Sequence, residues 1–302
     1  TFDVYLKLTE DNIVHIFSKI TGLDYERLEN YINHGVDVLY IHSEDKSLFE
    51  DFISHNPEDL LSQEGVSSID KMVALMNLTE QSIAEVFQKI EVSEKSAEDT
   101  KTVVKSYLQM MSESPESLSI LLKLASHGKY LYYHSIAVSI FSIILSRSLG
   151  VFDEKTVELI GFGGFLHDVG FTHFEEEFLE CEELLSKEQK DVVSQHTIVG
   201  LQMIEKATNI PKEVGFIIYQ HHEQPDAHGY PNALKNNKIY YPAKIIAVAD
   251  SFCELISDLP GRKAISTDEA IKKMLTIPNR FDLEVVQGFK KALDLDAYKK
   301  AS

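Results

Sequence analysis

The segment Phe165-Leu166-His167-Asp168-Val169-Gly170 ends an apolar run on two side chains that bind metals, set next to each other in the chain. Working outward from it, seven of the twelve histidines fall between His134 and His228, and several sit beside carboxylates or one another. His134, His167-Asp168, His196, His221-His222 and Asp250 each lie on or at the end of a different helix-spaced apolar segment; Ala247-Val248-Ala249, for example, leads into Asp250. Neutral imidazole is the commonest metal-binding side chain, and a carboxylate can bridge two cations. An ionised Asp on a buried helix face is costly unless it is paired or coordinates a metal. Together these features predict a two-metal site on a helical scaffold.

The chain changes character along its length. Residues 1–56 hold β-rich pieces at Thr1–Leu8, Asn12–Ile20 and Val36–His42, with helical patterns at Asp24–Asn33 and Glu44–His55. They read as a small α+β unit, Gly35 closing its first helix. From Pro57 strand signals almost vanish. Residues 57–112, with apolar spacings of three and four in Ile69–Met76, Glu80–Lys89 and Ala97–Met111, read as a helical connector, and 113–302 as a larger helical domain. Ser186-Lys187-Glu188-Gln189 has the form of a capping box, and Pro211 and Pro242 suit first-turn positions. The fold class expected is mainly α, a helical bundle behind a small α+β unit.

Composition excludes several functions. A formal charge of −19 disfavours adhesion to DNA or RNA phosphate, which needs clustered Lys and Arg. The longest apolar run, Ile136–Leu145, is about half of the roughly 20 residues that cross a bilayer, and no basic segment with an apolar stretch opens the chain. Cys181 and Cys253 are too few for a disulfide framework. The expectation is a cytoplasmic protein without a membrane span.

The ordered set His134, His167-Asp168-Val169-Gly170, His196 with Gly200, His221-His222-Glu223, His228-Gly229-Tyr230-Pro231 and Ala247-Val248-Ala249-Asp250 resembles the HD-GYP branch of the HD-domain metal-dependent phosphohydrolases. The step from His167 to His196 and that from His221 to Tyr230 agree with the family pattern, over residues 113–302. The resemblance implies an all-helical domain whose metals, often iron with manganese or zinc as alternatives, hydrolyse the bacterial messenger cyclic di-GMP to pGpG or GMP. By position it makes His134, His167, Asp168, His196, His221, His222 and Asp250 the metal ligands, with Asp168 the bridge, while Tyr230 is a candidate catalytic or substrate-facing residue or one that only shapes the turn with Gly229 and Pro231. Two cations so held activate a shared water and hold a phosphodiester oxygen.

The departures also carry information. The family lysine after His-Asp-x-Gly is Phe171 here, which removes a phosphate contact and implies weak turnover. The glutamate that trinuclear members carry before the first histidine is Tyr130, so two metals are expected. The family's R-P-Y-R segment is Leu259-Pro260-Gly261-Arg262, leaving Arg262 as the one arginine for substrate. His228 stands where a small residue is usual and is a further substrate-side candidate, and His173 is a candidate replacement cation that reads more simply as a solvent-facing loop residue. His15, His34, His42, His55 and His127 carry no partner pattern and read as structural or surface. A binding module of low turnover, or a hydrolase of another nucleotide, are the alternatives. The N-terminal unit is expected to bind a regulatory ligand or protein.

Overall fold

The computed structural model describes residues 3–9, 12–18, 31, 36, 39–45, 75, 101–106, 130–174, 186–207, 210–259 and 261–293. The chain divides into two compact units, Thr1–Gln63 and Glu64–Ser302. Gly35, Cys181, His34, His55 and His127 lie outside the described residues, as does most of the expected connector.

In the first unit, β1 (Val4–Thr9) is the central strand, antiparallel to β2 (Asn12–Phe17) on one side and to β3 (Tyr40–Ile41) on the other. Alternation places Val4 and Leu6 on the buried face, where they pack with Ile16, Phe17, Tyr31 and Val36. His15 pairs with Asp3, and His42 lies beside Glu44, so both are surface polar residues of this unit.

The second unit is helical. Its described elements are α1 (Tyr130–Leu149), α2 (Glu154–Leu166), a 3-10 turn (Val169–His173), α3 (Lys187–Val193), α4 (His196–Lys206), α5 (Lys212–Gln220), α6 (Tyr241–Ile256), α7 (Thr267–Thr276) and α8 (Leu283–Leu293). Caps fix the starts. Asp153 accepts from the Thr156 amide ahead of α2, and Ser186 forms the expected capping box with Gln189. Pro242 sits in the first turn of α6, whereas Pro211 falls one residue earlier than expected, at the N-cap of α5.

Small residues let α1 and α2 approach closely. Ser135, Ser139, Ser142 and Ser146 form a buried stripe on α1, and Ser139 Oγ donates to the Gly161 carbonyl across the interface at 2.7 Å. A Cβ on Gly164 would lie 3.0 Å from the Ser139 Cα, tight enough that the helices would have to give by a few tenths of an ångström to admit it. Behind this seam Phe141, Phe252 and Phe289, from α1, α6 and α8, meet edge to face with centroids 4.8–5.8 Å apart. The Ile136–Leu145 run is this core, and among the described residues no helix is long and apolar enough to cross a membrane.

Candidate metal centre

Six elements deliver the seven predicted ligands. His134 comes from α1 and Asp250 from α6; His167 caps the C-terminus of α2, Asp168 opens the 3-10 turn, His196 begins α4, and His221-His222 follow the last turn of α5. They converge as two groups, His134 with His167 and Asp250, and Asp168 with His196, His221 and His222. All but the half-buried His222 are buried.

Asp168 joins the groups. Its Oδ2 faces His167 Nε2 at 3.2 Å and His134 Nε2 at 3.9 Å, while its Oδ1 faces His196 Nε2 at 3.4 Å and His221 Nε2 at 3.6 Å. Asp250 Oδ1 lies 3.0 Å from His134 Nε2 and 3.8 Å from His167 Nε2. Each carboxylate thus shares a different subset of imidazoles, and Asp168 alone turns one oxygen toward each group.

The histidines are oriented by helix ends. Nδ1 of His167, His196 and His221 contacts the carbonyls of Gly164, Val193 and Ile218 at 2.7, 2.6 and 2.7 Å. These carbonyls belong to the last turns of α2, α3 and α5, where backbone acceptors lack helical partners. A carbonyl only accepts, so Nδ1 carries the proton and Nε2 presents a lone pair. Three lone pairs therefore converge on the Asp168 carboxylate, and His196 and His221 face each other Nε2 to Nε2 at 3.3 Å. His167 Nε2 and Asp168 Oδ1 make no hydrogen bond among the described residues. Acceptors facing acceptors in a buried site call for cations, and the donor set of imidazole and carboxylate fits divalent transition metals.

Electrostatics agree. Burial opposes charge on His167, but the Asp168 and Asp250 carboxylates overcome it and push the imidazole up to about 9, where a proton occupies a metal's place. Burial takes His196 down to about 4, and desolvation with the neighbouring His221 and His196 holds His222 well below its usual range. Both imidazoles are neutral at ordinary pH, the form in which a histidine can bind a metal. Burial works against the Asp168 charge too, yet His167 and the surrounding imidazoles keep the carboxyl ionised, well below the carboxylate range.

Tyr230 borders the second group. Its ring stacks on His222 with centroids 4.7 Å apart and 25° between planes, and it meets His196 edge-on at 6.3 Å. The loop that carries it is held by Glu223, whose buried carboxylate accepts from the amides of Asn232 and Leu234, each at 2.7 Å. In the sequence Glu223 stands only as the third residue of the His221-His222-Glu223 motif. Its signal was a carboxylate placed directly after the two ligands and ahead of a Gly-Pro loop with many amides to satisfy.

None of the remaining candidates belongs to either ligand group. His228 is 82% exposed and pairs with Asp226 at 3.3 Å. Arg262 donates to the Glu254 carbonyl at 2.5 Å, capping the end of α6. His173 is exposed and bonded to Thr172 Oγ1. Phe171 lies flat on His196, centroids 4.2 Å apart and 12° between planes.

A family model described as "HD domain" matches residues 92–285. The chain belongs to this HD domain family. Its relatives include a cyclic di-GMP phosphodiesterase of Pseudomonas aeruginosa, 31% identical over 60% of this chain and 44% of that protein. One from Thermotoga maritima is 28% identical over 68% of this chain and 54% of its own length. A 3'3'-cGAMP-specific phosphodiesterase of Vibrio cholerae is 29% identical over 53% and 37%. This HD domain chain thus spans about half the length of the curated relatives it matches. A solved structure titled as an HDG"Y"P protein of Bdellovibrio bacteriovorus shares the fold, with TM-score 0.73 and 22% identity over 97% of this chain and 94% of that one.

Proposed function

We propose that the chain is a metal-dependent phosphodiesterase that opens cyclic di-GMP to pGpG or GMP, with two metal ions, iron favoured and manganese or zinc suitable. One observation carries this reading: three Nε2 lone pairs, each set by an Nδ1 bond to a helix-end carbonyl, converge on a carboxylate whose two oxygens face two ligand groups. His134, His167, Asp250 and Asp168 Oδ2 would hold one ion, and His196, His221, His222 and Asp168 Oδ1 the other. Bound there, the ions supply Lewis acidity that makes a water nucleophilic at neutral pH and offsets phosphate charge.

The protein's part is to fix geometry. Asp168 turns one carboxylate toward both ligand groups, so ions held there would bring an attacking oxygen and a phosphodiester oxygen together. In the net reaction water adds to phosphorus, one P–O bond to ribose breaks, and the departing oxygen takes up a proton. Tyr230, stacked on His222, forms the wall against which a nucleobase would lie. The N-terminal unit is proposed as a regulatory partner site and the cytoplasm as the location.

A second reading, slow turnover or binding alone, is favoured by Phe171 in place of a cation and by Arg262 being committed to the α6 terminus. The test is metal analysis after anaerobic purification with iron, then incubation with cyclic di-GMP, 3'3'-cGAMP and a linear dinucleotide, with products separated by chromatography. About two metals per chain and release of pGpG or GMP are expected. Metal uptake with nucleotide bound but uncleaved supports the second reading, and absence of metal rejects both.

A further inference from the structure

We propose that Phe171 is a positioning residue for the metal ligand His196, a flat apolar face that fixes the tilt of the imidazole. The inference rests on the metal reading above. The hydrogen bond from His196 Nδ1 to the Val193 carbonyl sets where that edge of the ring points but leaves the ring able to rock about the bond. Phe171, parallel at 12° and 4.2 Å between centroids, covers one face and removes that freedom. His222 meets His196 nearly perpendicular, at 88° and 5.0 Å, so it does not provide a second parallel wall. With the hydrogen bond and the stack both in place, Nε2 is held facing Asp168 Oδ1.

The backbone brings Phe171 to this place. The Phe171 amide donates to the Asp168 carbonyl at 2.9 Å, tying the ring to the residue that bridges the two ligand groups. A Cβ at Gly170 would run into the His196 carbonyl, so the turn and the start of α4 touch backbone to backbone, and the next side chain lands beside His196. Phe174 braces the outer edge of Phe171 with centroids 5.8 Å apart. A lysine at this position has no flat face. The chain thus carries a ligand clamp at this position, and a phosphate there meets a hydrocarbon ring instead of an ammonium.

Groups that orient a metal ligand typically contribute about 10–100-fold to metal affinity. The test loads metal-free full chain with Co(II) and records the ligand-field spectrum, the dissociation constant and the melting temperature of the metal-free protein. Phe171→Leu is expected to weaken binding about tenfold or more and alter the spectrum. Phe171→Tyr, which keeps the face, is expected to restore both, and Phe171→Lys to behave like leucine. Phe171→Met, similar in volume without a ring, serves if leucine does not fold. Wild-type spectrum and affinity in the leucine or methionine variant overturn the inference alone, as does a tyrosine variant as weak as leucine. Wild-type protein that takes up no cobalt overturns the metal reading and this inference with it.

Discussion

Asp168 and His167 show how two adjacent side chains make a site that exists only when folded. Metal-free, their mutual attraction keeps His167 protonated to about 9, while His196 and His222 are already neutral. Metal must displace the His167 proton, so apparent affinity should rise by up to about tenfold per pH unit below pH 9 and level off above it. Titrations of Co(II) at several pH values, read with the proton release on binding, measure this; a flat profile would contradict it. The same shift acts on stability with a definite sign. His167 is raised from 6.5 to about 9 on folding, so its contribution to the metal-free protein is complete below pH 6.5 and is lost as pH rises through about 9. Melting temperatures of the chelated protein should therefore fall across that alkaline window, and His167→Gln should abolish that part of the slope.

At the level of elements, the loop after α5 and the turn before α3 are held by single residues. Glu223 accepts from the amides of residues 232 and 234, and Ala227 and Ala233 adopt left-handed conformations at φ 64 and 52 in the loop it holds. Left-handed backbone disfavours alanine, and the two charge-assisted bonds offset that cost. Glu223→Ala should destabilise the domain by about 3 kcal/mol and raise amide exchange across 224–236, with metal still bound. Denaturant melts and exchange mapping check it, and exchange unchanged in that loop would show that Glu223 does not hold it. Gly170→Ala tests the other contact. Its Cβ overlaps the His196 carbonyl, so the turn and α4 must separate, and both metal content and stability should drop. A stable, fully loaded alanine variant would mean that the turn relaxes without disturbing His196.

At the scale of the whole molecule, all seven candidate ligands lie in the second of the two compact units. Because ligand binding stabilises only what it binds when folded, chelation should lower the melting of the helical unit by roughly 3 kcal/mol for metal held near a hundred times its dissociation constant. The sheet around Val4, Leu6, Ile16 and Phe17 should report no change. Paired His167→Ala and Asp168→Ala replacements should likewise strip metal and leave that sheet folded. Calorimetry with site-resolved NMR of the sheet separates the outcomes, and simultaneous loss of both units would mean that they unfold as one.

Much of this was legible in residue order, because helical periodicity, capping residues and metal ligands at helix ends are all local signals. The capping box at Ser186, the apolar run that became the α1 core and the strands near residues 4 and 12 belong to that class, whereas the grouping of His134, His167, Asp168, His196, His221, His222 and Asp250 was expected from the family resemblance of their ordered motifs. Contacts between elements distant in sequence were not legible. A string does not record that the Phe171 ring lies on His196, that Arg262 is spent on the Glu254 carbonyl, that His228 faces water, or that Glu223 reaches residues 232 and 234. Residue type and spacing state which atoms can bind a metal, whereas only the packing of α1 through α6 sets ring planes, lone-pair directions and which charges stay in solvent.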